Sequence, residues 1–514
     1  MIKEIFADPD ELVAMPRVAA PARVVTPAQA SERLSIRRWV LGLAGLAVLA
    51  RLAYLALGTA DSRFVAWYID SFHHWQISFL TKEIGFANGP RLWDLGGMEY
   101  FWGVIPSVLG ALALAVTGSS ALWPVQALNV IAGAATVGVL YLVGRRYWSH
   151  WAGVTLGGFF AISPVSILTD ASGMQEPIAF LFLALGLLFL LDRPLIAAIF
   201  LGLAASSRPD YWLYTLAILA TVAVVRRAPG SFLAAPRTLA PYAAGYAIGM
   251  VPYLQHMWIQ TGNPFYALYW NFMGNVRGAW MPVVEPTPHQ LEAQLAARVL
   301  LAAAVVGLGL VVWRRPAGWP VLAAGLWGCF LIGYVLGISK YILGYLDRFW
   351  LDRIMLLPYL ALATILAMGI ARLARAGRAG RIAAVSSLVV SAVLLSALWI
   401  PAQRYQTDAA GFHRDLDFAQ RAAPVATTGR ILVPGDAVVA TYGLVQEGVR
   451  ARRLLSQLYH PEERAELDAW MREMDVRWVF LKDGDEFWSD LVRGDREKFT
   501  LRLSWVYDLY EVRP

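Results

Sequence analysis

Tyr100–Thr117 reads YFWGVIPSVLGALALAVT, and the fold turns on whether this segment crosses a bilayer. The answer comes from the arginines around it. Clustered basic residues recur between the apolar runs at Arg37-Arg38, Arg145-Arg146, Arg226-Arg227 and Arg314-Arg315, and then at Arg372, Arg375, Arg378 and Arg381. Loops rich in Lys and Arg stay on the cytoplasmic side. If 100–117 crossed, every later cluster would face the side opposite Arg37-Arg38. If it lies in the outer interface, all the clusters share one side. Gly103, Pro106 and the opening aromatics Tyr100, Phe101 and Trp102 suit an interfacial helix, so the second reading is adopted.

With that choice the chain places about eleven spans, near 39–58, 121–143, 151–168, 177–192, 195–206, 210–225, 239–259, 297–313, 319–338, 350–371 and 382–400. The composition agrees. Of 514 residues 58% are hydrophobic and 16% charged, with a mean hydropathy of +0.50, whereas a soluble domain carries about 25% charged residues. The expected class is a polytopic α-helical membrane protein. The net charge of +7 lies largely at membrane edges and does not signal nucleic acid. The single Cys329 excludes a disulfide framework or a Cys-based metal site.

Residues 1–36 open acidic, turn Ala/Pro-rich and lack the apolar stretch of a cleavable signal, so a disordered cytoplasmic tail is expected. Residues 37–400 form the membrane unit, with a first outer loop over 59–120. Residues 401–514 change character, with 16 basic against 19 acidic residues. There, short apolar runs (437–441, 476–481) alternate with polar helical stretches, and the tail TLRLSWVYDLYEV reads as strand. A small extracytoplasmic α/β domain is expected.

The residues with chemistry gather in the outward gaps. Asp70 follows Trp67-Tyr68-Ile69 and opens a helical stretch. A carboxylate desolvated at a membrane edge suits a general base, and an Asp at that place equally suits a helix N-cap. Asp170 and Glu176 lie in the short loop LTDASGMQEP, where an acidic residue before Pro177 also complements a helix N-terminus. Lys340, Arg348 and Arg353 border the next outward loop, where a guanidinium can grip a phosphate or snorkel to lipid headgroups. His73 and His74 diverge on a helix. A divalent cation held by them with Asp70 or Glu99 is the alternative to a site with no cofactor.

The order of these pieces resembles the GT-C superfamily of glycosyltransferases that use polyprenyl-phosphate sugars, in the branch of protein O-mannosyltransferases and lipid A aminoarabinose transferases. The resemblance spans about 35–405. It rests on the early outer-loop Asp, the aromatic interfacial segment, YLVGRRYW, AISP, QEPIAFLFLAL, GLAASSRPDYW, GNPFYA and RFWLDRIMLLPYLAL. It implies an inverting transferase, hexosyl or pentosyl, with Asp70 as base and Glu176 as second carboxylate. Glu99 and Tyr100 would lie near the donor, and Arg348 or Arg353 on its phosphate. Asp170, His73, His74 and Lys340 complete the expected substrate site. The implied partners are a polyprenyl-phosphate-linked sugar, the bilayer, and an acceptor glycan, lipid or protein. The expected place is a bacterial or archaeal plasma membrane, crossed many times, with the site outside. Two departures stand out: Asp70-Ser71 where many members have Asp-Glu, and Gly97-Met98 where Pro-Pro is common. The rival reading is a transporter or flippase, or a polymerase or ligase, of lipid-linked envelope glycans. The grouping of ionisable residues at one membrane face, rather than along a midplane pathway, weighs against transport.

Overall fold

The computed structural model describes residues 27–58, 69–85, 102–227, 231–269, 288–338, 353–397, 410–457, 461, 464–482 and 486–513. Arg348, Glu99, Tyr100 and Lys340, all expected site residues, lie outside them.

A helix lies at each of the expected spans. They are α1 (Pro27–Gly58), α4 (Trp123–Tyr147), α5 and α6 (His150–Ile162, Pro164–Ala171), α7 (Glu176–Phe189), α8 (Pro194–Ser207), α9 (Asp210–Val225), α10 (Pro236–Thr261), α11 (Pro288–Arg314), α12 (Trp319–Ile338), α13 (Leu356–Arg375) and α14 (Gly377–Ala397). Two further helices, α2 (Asp70–Ile84) and α3 (Val104–Thr117), lie between α1 and α4. Among the described residues, five helices are fit by length and composition to cross a membrane, or six if α5 and α6, bent by 55°, count as one span. The number eleven therefore stands on the sequence pattern. Leu49, Val306 and Leu394, each more than 60% exposed, point out of the bundle from α1, α11 and α14. Large apolar side chains turned outward on several helices suit a membrane surface.

Local chemistry sets the helix ends. Pro occupies the first turn of α4, α7, α8 and α10, where its missing N–H costs nothing. Ser149 caps α5 by accepting from the Ala152 amide. Arg145 and Arg146 fall in the last turn of α4, and Arg372 and Arg375 in that of α13, where cations complement the helix dipole.

The arginine clusters share one end of the bundle. Arg146 pairs with Asp192 and donates to the Leu188 carbonyl. Arg226 donates to Leu191 O, and Arg375 to Trp148 O. Trp148 in turn donates to Ala317 O beside Arg314-Arg315, and Trp39 meets His150 edge-on. Helix α3 does not reach that end. It starts against the last turn of α8, where Gly103 (φ +100°) comes so close that a Cβ would lie 2.6 Å from Ser207 O. The turn after it returns to the same end: Ser120 O accepts from Trp75 Nε1, and Leu122 N donates to Tyr442 Oη.

Residues 410–513 form an α/β unit seated at this second end. It comprises α15 (Ala410–Ala422), β1 (Arg430–Val433), α16 (Val438–Gln446), β2 (Leu454–Ser456), α17 (Arg464–Glu473), β3 (Val476–Leu481), α18 (Glu486–Gly494), β4 (Phe499–Ser504) and β5 (Asp508–Val512). The sheet order is β2-β1-β3-β5-β4, parallel from β2 to β3 and antiparallel beyond. Side chains alternate between two cores. Leu432, Val479 and Leu481 face Leu467 and Trp488 of α17 and α18. Ile431, Val433, Trp478 and Phe480 join Phe418, Leu444, Phe72 and Trp75. The second core is thus continuous with α2. The apolar run 437–441 opens α16, with Ala437 at its N-cap. Its residues are buried on every side, and a short apolar run has no periodicity to separate a buried helix from a strand.

Candidate active site

Helix α2 is where the two units meet, and its residues Ser71–Leu80 are all buried. Phe72 packs edge-on to Phe412 and Tyr442, and Trp75 to Tyr442. This packing fixes the first residue of the helix, Asp70. The N-cap position is held by Ile69, and Asp70 is the first residue inside the helix, so the N-cap reading does not describe it. Its carboxylate instead meets Arg353, which opens a 3-10 turn (Arg353–Met355) ahead of α13. Arg353 Nη2 lies 2.6 Å from Asp70 Oδ2, and its Nε lies 3.2 Å from Glu176 Oε1. The Arg353 and Asp70 side chains are 18% and 23% exposed.

Glu176, the first residue of α7, is almost fully buried and receives a second guanidinium. Arg208 Nη1 donates to the same Oε1 at 2.5 Å, while Arg208 Nε holds Asp210 at 2.8 Å. The result is a chain of alternating charge: Asp70, Arg353, Glu176, Arg208, Asp210. Glu176 Oε2 has no hydrogen-bond partner among the described residues. Met174 flanks the chain, its Sδ 3.4 Å from Ser71 Oγ and 3.9 Å from Arg353 Nη1.

Burial alone would raise the Asp70 pKa. The Arg353 guanidinium, with smaller contributions from His73 and His74, outweighs it and holds the carboxyl at about 2. Asp70 is therefore ionised throughout the physiological range. Burial works the other way on the imidazoles: His73 falls to about 4 despite Asp70 and Asp436, and His74 falls well below its usual value. Both are neutral at pH 7, and both rest against Trp102, with ring centroids at 5.4 and 4.9 Å. No three His, Cys, Asp or Glu side chains converge among the described residues. The partners of the two carboxylates are guanidinium groups.

Asp170 departs from expectation. It does not join this chain but is buried against Arg51 of α1, with Nε at 2.6 Å and Nη2 at 2.5 Å from Oδ2. The Ser163-Pro164 break explains the arrangement. Pro164 has no N–H for the Phe160 carbonyl, and Arg51 donates to Phe160 O and Ala161 O instead. Gly133 makes room for the carboxylate: a Cβ there would lie 1.9 Å from Asp170 Oδ2. The pair clamps the kink between α5 and α6.

Of the expected site residues, the structure brings together Asp70, Glu176 and Arg353, with His73 and His74 alongside. Sequence reasoning did not single out Arg208, Asp210 or Met174. Arg208 and Asp210 sit in SSRPDYW, where two opposite charges flanking a Pro between apolar helices were a readable signal. Arg51 was readable too, as an isolated charge within an apolar span.

No protein-family model matches the sequence, and no curated protein matches it. Solved structures do. ArnT from Cupriavidus metallidurans superposes with a TM-score of 0.55 at 12% identity, over 93% of this chain and 98% of that one. The Archaeoglobus fulgidus oligosaccharyltransferase superposes at 0.52 and 13% identity, over 87% of this chain and 70% of that one. Both are members of one superfamily. This chain has the GT-C fold. At such low identity the match concerns architecture, and within the GT-C fold the alternating charge chain stands at the bundle end away from the arginine clusters.

Proposed function

We propose that the protein is an inverting glycosyltransferase that moves a sugar from a polyprenyl-phosphate donor to an acceptor at the outer face of the membrane. The observation that carries this reading is the contact of an ionised, half-buried Asp70 with Arg353, beside Glu176, in a chain with the GT-C fold. The solved structures it resembles are ArnT and an oligosaccharyltransferase, both sugar transferases, which supports the same reaction class.

In the proposed reaction the acceptor hydroxyl attacks the anomeric carbon. The C–O bond to phosphate breaks as the new C–O bond forms, and polyprenyl phosphate leaves. The acceptor proton passes to Asp70. One carboxylate suffices for such a single displacement, and the leaving phosphate needs positive charge more than a strong acid. Arg353 supplies that charge. In the free protein it is occupied by Asp70, so the donor phosphate must draw it away. That exchange would release the base and grip the leaving group together. Glu176 and Arg208 keep Arg353 within reach throughout. The arginine clusters at the opposite end support this sidedness, because loops rich in Lys and Arg stay cytoplasmic.

The test is sugar transfer in proteoliposomes containing the purified protein, with labelled polyprenyl-phosphate sugars as donors. Turnover by the wild type and its loss by about 10²–10⁴-fold in Asp70→Asn are expected for a positioned base. Equal turnover in the two proteins would rule out the assignment of Asp70.

A further inference from the structure

Beside the charge chain lies a small, partly open cavity, with room for the centre of a single water-sized group. Its wall includes His74, Ser78, Ser107, Asn129 and Gln175, together with Met174. These side chains come from α2, α3, α4 and the turn before α7. Ser78 and Ser107 donate to backbone carbonyls of their own helices, but other polar atoms of this wall are idle. Neither ring nitrogen of His74, neither amide atom of Gln175, nor Asn129 Oδ1 has a hydrogen-bond partner among the described residues. All three residues are at least 97% buried. Folded proteins leave few buried polar groups unpaired, and those that remain call for a partner. Here the residues that carry them come from separate elements and line one space.

The cavity adjoins the proposed reaction centre. His74 lies one helical turn from Asp70, on the same face of α2. Gln175 immediately precedes Glu176, whose Oε2 is also unpartnered among the described residues. Met174 lines the cavity while its Sδ approaches Arg353. The Asn129 amide donates to the Met174 carbonyl and fixes that turn. The neutral His74 ring offers one donor and one acceptor, and the Gln175 amide offers both. Such a set suits a neutral hydroxyl, which both donates and accepts.

We propose that this cavity is a specificity subsite that takes one hydroxyl of the transferred sugar, with His74, Gln175 and Asn129 as its hydrogen-bonding partners. The inference rests on the glycosyl-transfer reading above. It assigns the hydroxyl to the donor sugar because that ring is bonded to the phosphate expected at Arg353. A site built around a hydroxyl rejects an analogue lacking it far more strongly than an apolar pocket rejects one methylene, because its buried polar groups are left unpaired.

The experiment compares the best donor sugar with each of its single-deoxy analogues in proteoliposomes, for the wild type, Gln175→Met and His74→Phe. A parallel series uses deoxygenated acceptors. The wild type is expected to reject one deoxy donor by about 10²-fold or more, and both variants to reduce that discrimination at least about tenfold, chiefly by slowing the full sugar. Because the replaced groups are buried without partners, the substrate-free variants are also expected to melt no lower than the wild type. Discrimination that survives in both variants overturns the subsite, as does a lower Tm in both. Discrimination that collapses in the acceptor series alone overturns its assignment to the transferred sugar. No transfer by the wild type from any donor would fail the glycosyl-transfer reading itself, and the subsite with it.

Discussion

Replacing Asp70 with Asn separates two roles that most active-site substitutions change together. In the free protein Arg353 Nη2 is 2.6 Å from Asp70 Oδ2. If the donor phosphate takes Arg353, it must first displace that carboxylate. A hydrogen bond to a charged group contributes about 1.5–3 kcal/mol. Both side chains remain partly exposed, at 18% and 23%, so screening favours the lower figure. Removing the competing charge while keeping the shape of the side chain should therefore return roughly 1.4 kcal/mol to donor binding, about tenfold in affinity. Transfer should meanwhile fall by about 10²–10⁴-fold, because the amide cannot accept the acceptor's proton. The two effects have opposite signs. The assay is equilibrium binding of a labelled polyprenyl-phosphate sugar to detergent-solubilised protein, alongside turnover in proteoliposomes. Donor affinity that is unchanged or weaker in Asp70→Asn would refute the exchange and leave the Asp70–Arg353 pair a structural one.

Three further outcomes follow from the same geometry. Arg353→Gln removes the charge that holds Asp70 near pKa 2 while burial continues to raise it, so the acid limb of kcat/KM should move to higher pH; a pH–rate profile unchanged from the wild type would contradict this. Asp170→Asn leaves the Arg51 charge buried without its counter-ion, and the loss should be about 3–5 kcal/mol, visible as a lower Tm in detergent; an unchanged Tm would remove the clamp assigned to this pair. In the C-terminal unit, burial raises the Asp415 pKa to about 6 against the opposing pull of Lys482 and a hydrogen bond with Tyr507; since a raised acid loses stability as pH rises through the folded pKa, Asp415→Asn should stabilise the protein at pH 8 and give less benefit below about pH 5, which Tm measured across pH would test.

How much of this was legible in the sequence depends on whether a residue's meaning is local. Helix positions were legible, because apolar length and first-turn prolines are local signals. So were Asp70 and Glu176 as candidates, each a carboxylate at the edge of an apolar run. Their meeting through Arg353 was not, since nothing in either segment encodes the other. The helical state of Val438–Thr441 was hidden because burial of every residue in that run erases the period that separates helix from strand.

The arginines show where that boundary falls. In clusters they are topological: Arg146, Arg226 and Arg375 donate to backbone carbonyls at one end of the bundle, and Arg146 also pairs with the exposed Asp192; there the field of a whole loop matters more than any one partner. The solitary ones behave otherwise. Arg51 meets Asp170, Arg208 meets Glu176 and Asp210, and Arg353 meets Asp70 and Glu176. A guanidinium in a low-dielectric surrounding is retained only with a counter-charge, so an isolated arginine between apolar runs implies a carboxylate distant in sequence. Amino-acid order alone thus tells which side chains of such a chain must find a charge partner. It does not tell which partner each one finds. Three arginines here have Asp70, Asp170, Glu176 and Asp210 to choose from, and only packing decides among them. The Pro164 break turns Asp170 toward Arg51, and the burial of α2 beneath the C-terminal unit presents Asp70 to Arg353.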